Sequence, residues 1–230
     1  MTEPQIRAIV FRALAAGLGV ATHAIGDRAI HHVLNVYQSV LETHPDIAPG
    51  RLRIEHFSYA QASDFQRAAH LGILLAIQPG FVYPDAKGHE MEDSRVGPKN
   101  SDRVYAWETM RKAGARLAGS SDDFSYLPEP LWDYYAAVTR QNPEGLPPKG
   151  WHPDQRLPRM FSLKLLTRLY PPAGGPPSSG ELQTGAPANL AILSANPLTV
   201  PPPEILKIKI RATLLAGRVT YSDATLPGLR

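Results

Sequence analysis

Segments that read as strands and helices alternate four times between Gln5 and Gly119, and each strand delivers a polar residue at or just past its C-terminal end. Few folds accept that order. Alternation of this kind demands a parallel sheet with crossover helices, hence an α/β barrel or a doubly wound sheet. From Gln5 to Leu18 the apolar residues Ile6, Ile9, Val10, Leu14 and Ala15 recur at helical spacing, until Gly17 to Gly19 break the pattern. The expected succession is then strand Gly19 to His23, helix Ala29 to Thr43, strand Leu52 to His56, helix Ser63 to Leu71, strand Ile73 to Gln78, helix Val104 to Ala113 and strand Ala115 to Gly119. His23, His56, Gln78 and Asp122 fall at the ends of those strands, the edge where parallel α/β folds gather their functional groups.

After Thr139 the character changes. Proline and glycine dominate from Asn142 to Pro158 and again from Pro171 to Gly185, which reads as loop. Strand-like runs follow at Ala188 to Leu193 and Ile205 to Thr213, then a turn at Ala216 and Gly217 and a last pair at Val219 to Tyr221. The expected division is a main α/β unit over residues 1–165 and a small β unit over 166–230.

The charge balance narrows the function classes. Lys and Arg number 24 against 21 Asp and Glu, a formal net of +3, with no clustered basic stripe of the kind nucleic acid requires. Lys207, Lys209 and Arg211 alternate with Ile208 and Ile210, which suits the wet face of a strand. There is no cysteine, so a disulfide framework and a thiolate metal site are both excluded, and any metal must be held by imidazole and carboxylate. No apolar run approaches the ~20 residues of a membrane span, and the N-terminus lacks the order of a signal peptide. A cytoplasmic setting is expected.

In VATHAIGDRAI, His23 closes an apolar strand and Gly26 permits a tight turn into a helix whose first-turn carboxylate is Asp27. Standing alone, such a histidine is more simply a core or capping residue. In RLRIEHFSYA, however, His56 closes the next strand in the same way, one β/α unit later. Two imidazoles at equivalent ends of neighbouring parallel strands favour a shared metal ion. ARLAGSSDDFSY brings Ser120, Ser121, Asp122 and Asp123 to the same rim, with Asp122 assigned inward and Asp123 to turn chemistry; the plainer alternative for both is an Asx turn or helix cap. His31, His32, His44, His70, His89 and His152 have no matching positions and are expected at the surface or in packing, as Trp132, Tyr134 and Tyr135 are in the core. There is no phosphate-binding loop, nucleophile elbow or dinucleotide fingerprint.

Taken in order, HAIGDRAI, RIEH, the pair Gln78 and Pro79, GSSD, GELQTGAPANLAIL and TLLAGRVTY resemble the amidohydrolase superfamily, in the branch called amidohydrolase family 3 that includes N-substituted formamide deformylase. The resemblance runs from about Glu3 to Tyr221. It implies strands five to eight of a TIM-type (β/α)8 barrel with an accessory β unit, and hydrolysis of carbon–nitrogen bonds other than peptide bonds in a small amide-type substrate. It further implies one or two zinc-like ions held by His23, His56 and Asp122, with Asp122 also the catalytic proton carrier for a metal-activated water. Gln78, Arg95 and Arg103 would lie in the region that shapes the substrate pocket. The HxH pair and the carbamoylated lysine of the family's first and fourth strands have no counterpart in the sequence, and Asn189 stands where an aspartate is usual. The chain is therefore expected to be the C-terminal half of such a hydrolase, completed by a missing N-terminal half or by oligomerisation. Two rivals remain: a non-catalytic remnant or interaction module that pairs through exposed sheet edges, and a doubly wound ligand-binding domain.

Overall fold

The computed structural model describes residues 1–82, 94–122, 129–167, 180–223 and 225–226. Its first part is a four-stranded sheet, parallel throughout and in sequence order: β1 (Val20–Ala24), β2 (Leu52–His56), β3 (Leu74–Ile77) and β4 (Arg116–Gly119). Parallel neighbours need crossovers, supplied between β1 and β2 by α2 (Asp27–Thr43), between β2 and β3 by α3 (Ala62–His70) and between β3 and β4 by α4 (Trp107–Lys112). α1 (Glu3–Ala15) precedes β1, and α5 (Pro130–Thr139) and α6 (Arg159–Thr167) follow β4.

The two faces of the sheet differ in their surroundings. Alternation along β2 sends Leu52 and Ile54 into the helix layer, where they are fully buried with Ile30, Leu34 and Tyr37 of α2. Arg53 and Glu55 take the opposite face, half-buried and paired with each other. In β1 the register puts Thr22 beside Ile54 and His23 beside Glu55. Tyr37 fastens the layers: its hydroxyl lies 2.7 Å from the Thr22 hydroxyl and donates to the Arg53 carbonyl at 2.9 Å. Burial pushes its phenol well above the ordinary tyrosine range.

The second part is an antiparallel sheet of β5 (Leu190–Leu193), β6 (Ile210–Leu215) and β7 (Arg218–Ser222), with β6 central. The β6–β7 turn takes left-handed angles at Ala216 and Gly217, with φ of 49° and 79°, as a tight hairpin requires. Asn189 serves that turn, since its side-chain oxygen accepts from the Ala216 amide at 2.8 Å. The two parts meet through Pro197, whose carbonyl accepts from the Tyr134 hydroxyl at 3.1 Å and from Arg159 Nη1 at 2.7 Å.

Two expected elements are corrected. The strand expected over Ile205 to Thr213 begins only at Ile210, because Pro201 to Pro203 open a short helix, α7 (Pro202–Ile205), that carries Ile205 into the core with no exposure. Lys207 and Lys209 thus precede the strand, and Arg211 turns to Asp223 at 2.9 Å. The helix expected from Val104 starts at Trp107, because Val104 and Tyr105 pair instead with the segment after β2, at Tyr59 and Ser58. Among the described residues, no helix is long and apolar enough to cross a membrane.

Candidate functional site

The C-terminal ends of β1 to β4 form one rim, and the pairing Ala24 to His56 places the two strand ends level. Strict alternation would send the His56 side chain to the helix face with Leu52 and Ile54. It does not go there. His56 and Phe57 adopt positive φ, 73° and 48°, which turns the chain at the rim and brings the His56 ring against that of His23, with centroids 4.5 Å apart and planes at 74°. A left-handed conformation at residues other than glycine costs on the order of 1–3 kcal/mol each and persists only where surrounding bonds enforce it. Here the Phe57 amide donates to the Ala24 carbonyl at 3.1 Å, the Tyr59 amide to Ile25 at 2.9 Å and the Tyr105 amide to Ser58 at 2.7 Å.

His56 is 8% exposed, whereas His23 lies open. The His56 ring is also stacked on Phe81, at 5.8 Å and 16°. Its Nδ1 lies 3.0 Å from Oε1 of the buried Gln78, whose Nε2 donates to the Ser120 hydroxyl at 2.9 Å and to the Ala76 carbonyl at 3.2 Å. His56 Nε2 faces Asp122, with Oδ2 at 3.9 Å, an ion-pair rather than a hydrogen-bond distance. Asp122 is 56% exposed and also left-handed, with φ of 50°.

The structure thus brings His23, His56, Gln78 and Asp122 to one rim and leaves two expected residues apart from them. Arg103 is occupied in the segment beyond β2: it stacks over the Tyr59 ring at 4.7 Å and donates to the Tyr59 hydroxyl and to Asn100. Arg95 is exposed. Asp123 and His89 lie outside the described residues. Asp27 is the first residue of α2, and its carboxylate accepts from the Arg28 amide at 2.8 Å. His31 pairs with the buried Asp64 at 3.2 Å, His32 faces Glu3 at 3.6 Å, His44 packs on Phe11 and His152 on Trp151.

Sequence reasoning brought Ser120 to the rim but not its bond to Gln78, and it missed Phe81. The pairing of Ile77 with Gly119 sets Gln78 beside Ser120, a relation that register reveals and composition does not. Phe81 sits in a 3-10 turn, Pro79–Val82, held by Asp133 of α5, which accepts from the Gly80 amide at 2.7 Å.

The donor set fits a borderline divalent cation in kind: two imidazoles in ring contact and one carboxylate. In number it falls short, because among the described residues no group of three or more His, Cys, Asp or Glu is arranged to hold an ion.

Comparison with known proteins places the chain in a family. A family model described as "Amidohydrolase family" matches residues 1–221. YtcJ of Bacillus subtilis (strain 168) is 30% identical over 224 residues, covering 94% of this chain, and N-substituted formamide deformylase of Arthrobacter pascens is 27% identical over 222 residues, covering 96%. The chain spans 40% of the length of each of these relatives. Among solved structures, an uncharacterized metal-dependent hydrolase from Pyrococcus horikoshii OT3 superposes with a TM-score of 0.71 at 29% identity, over 87% of this chain and 38% of that one.

Proposed function

Because the chain belongs to the amidohydrolase family, its model matched over residues 1–221, we propose that it forms the C-terminal part of a metal-dependent hydrolase that cleaves carbon–nitrogen bonds other than peptide bonds. The observation that carries this reading is the ring contact of His23 and His56 at adjacent strand ends, with Asp122 facing the second imidazole. The four-stranded sheet is read as strands five to eight of a (β/α)8 barrel within residues 1–165, and residues 166–230 as its accessory β unit. The exposed inner face around Ala21 and His23, beside the edge strand β1, is where complementary strands would pair.

His23, His56 and Asp122 would contribute ligands to a divalent ion, zinc by the nature of the donors, with further ligands supplied by the complementary strands, in a cytoplasmic enzyme. When bound, the ion supplies Lewis acidity and lowers the pKa of water. The chain's residues do the rest. His56, buried and fixed on its Nδ1 side, presents Nε2 to the site. Asp122, exposed and within 3.9 Å of that nitrogen, is placed to accept a proton and return it to a leaving amine. Phe81 shields one face of His56 from water. Arg103, which would have to leave Tyr59 and Asn100, and the exposed Arg95 are the candidate cations for a small amide-type substrate.

A direct test supplies the chain with zinc and with the N-terminal portion of a relative that this chain does not span, and measures hydrolysis of small N-substituted formamides and related amides. Hydrolysis that requires both parts and is lost in Asp122→Asn supports the reading. An associated, zinc-loaded complex with no amide hydrolysis contradicts it. It would favour the rival in which the sheet edges serve only to pair with another chain.

A further inference from the structure

Gln78 is 3% exposed, and both ends of its amide are engaged inside the protein. The orientation of its amide can be deduced. A backbone carbonyl only accepts, so the Gln78 atom 3.2 Å from the Ala76 carbonyl must be the NH2 group. The same NH2 reaches the Ser120 hydroxyl at 2.9 Å. Oε1 is thereby left facing His56 Nδ1 at 3.0 Å, and since an amide oxygen cannot donate, Nδ1 must carry the hydrogen. In the neutral ring the lone pair then resides on Nε2, the atom that faces Asp122.

We propose that Gln78 is a positioning residue that fixes the Nδ1–H tautomer of His56, with Ala76 and Ser120 setting the direction of its amide. This replaces substrate contact as the role of Gln78. A buried amide whose two N–H groups are both used internally and whose oxygen faces His56 is poorly placed to contact a ligand. Free to rotate, the amide could present either end to the imidazole, and the Ala76 carbonyl removes that choice. The stacked Phe81 ring closes one face of His56, so ring plane and tautomer are set together. The usefulness of the tautomer to metal binding rests on the function proposed above; the tautomer itself does not.

The test reads the tautomer in the full, metal-free chain, at a pH well above the ordinary histidine range near about 6.5. Two-bond proton–nitrogen correlations of the imidazoles distinguish Nδ1–H from Nε2–H, and the His56 signals are those lost in His56→Ala. The expected wild-type result is Nδ1–H at His56. In Gln78→Leu, the His56 signals shift towards Nε2–H while those of His23 and the circular dichroism stay unchanged, and Ser120→Ala gives a smaller shift in the same direction. A wild-type His56 found as Nε2–H overturns the proposal without any variant, and so does a folded Gln78→Leu chain with an unaltered His56 spectrum. Zinc titration supplies an independent reading: the affinity of Gln78→Leu is expected to fall ~10-fold or more, as for other residues that orient a ligating imidazole. A wild-type chain that shows the stated tautomer yet takes up no zinc supports the positioning role and sinks the metal-site reading instead.

Discussion

Arg140 lies flat against Trp107, its guanidinium carbon 4.2 Å from the indole centroid, and has no solvent exposure. A second indole, Trp151, covers it at 4.8 Å. Its Nε donates to the Trp151 carbonyl and its Nη1 to the Tyr105 carbonyl, both at 3.0 Å. Burial pushes its pKa down to about 9, opposed by the charge of Asp154, so the group stays cationic at neutral pH. Because the Tyr105 amide in turn donates to Ser58, this cation anchors the segment that holds the turn after His56.

Replacing Arg140 with methionine removes its hydrogen bonds to the Trp151 and Tyr105 carbonyls, of which the second keeps the Trp107 amide at 2.8 Å, and removes two cation–aromatic contacts. The expected loss is about 2–4 kcal/mol, read as a lower urea midpoint with an unchanged slope. A midpoint shift worth less than about 0.5 kcal/mol would show that Arg140 is not an anchor.

Tyr134 joins the two sheets through its bond to the Pro197 carbonyl. Tyr134→Phe keeps the ring and removes the donor, at an expected cost of about 1 kcal/mol. The loss should be concentrated where the C-terminal sheet meets α5, so hydrogen exchange of β5 and β6 amides should quicken more than that of β2 and β3. Uniform acceleration across both sheets would argue against a local tie.

Acid should weaken the fold partly through Glu108, whose carboxyl is held below its ordinary value of 4.5 chiefly by hydrogen bonds from Arg111, at 2.6 and 2.7 Å. The Lys112 charge adds to this, while burial opposes it. With the folded pKa below the unfolded one, the unfolded chain binds more protons through the acid range. The contribution is therefore complete above pH 4.5 and is lost as pH falls through the folded value. Arg111 is partly exposed, which limits the contribution to roughly 0.5–1 kcal/mol. Glu108→Gln should lower stability by that amount at neutral pH and converge with the wild type near the acid limit. Curves that stay parallel down to that limit would contradict this assignment.

Much of the fold was legible in the chain itself. The apolar run of β2, Leu52 to His56, has the bounds expected of it, and the crossover helices lie within two residues of expectation except at Val104, three residues ahead of the observed start at Trp107. Those elements are set by local periodicity. What stayed hidden depends on tertiary pairing. The reversal at His56 needs a positive φ that no glycine announces, and it is enforced by amides of Phe57, Tyr59 and Tyr105 that find partners only in the folded chain. Similarly, Ile205 reads as the start of a strand until three prolines turn it into a helix that packs on the core. Of the expected site, His23, His56 and Asp122 could be marked as strand-end residues, but the ring contact and the exposed position of Asp122 belong to the assembled rim.

The proposed function requires His23 and His56 to act together as ligands of one divalent ion. Calorimetric titration of zinc into the full chain, alongside His23→Ala and His56→Ala, tests it most directly. The expected result is one ion per wild-type chain and an affinity reduced ~10-fold or more in each variant, equivalent to about 1.4 kcal/mol or more per ligand. A wild-type chain that takes up no zinc, or variants that bind it as tightly as the wild type, would contradict it.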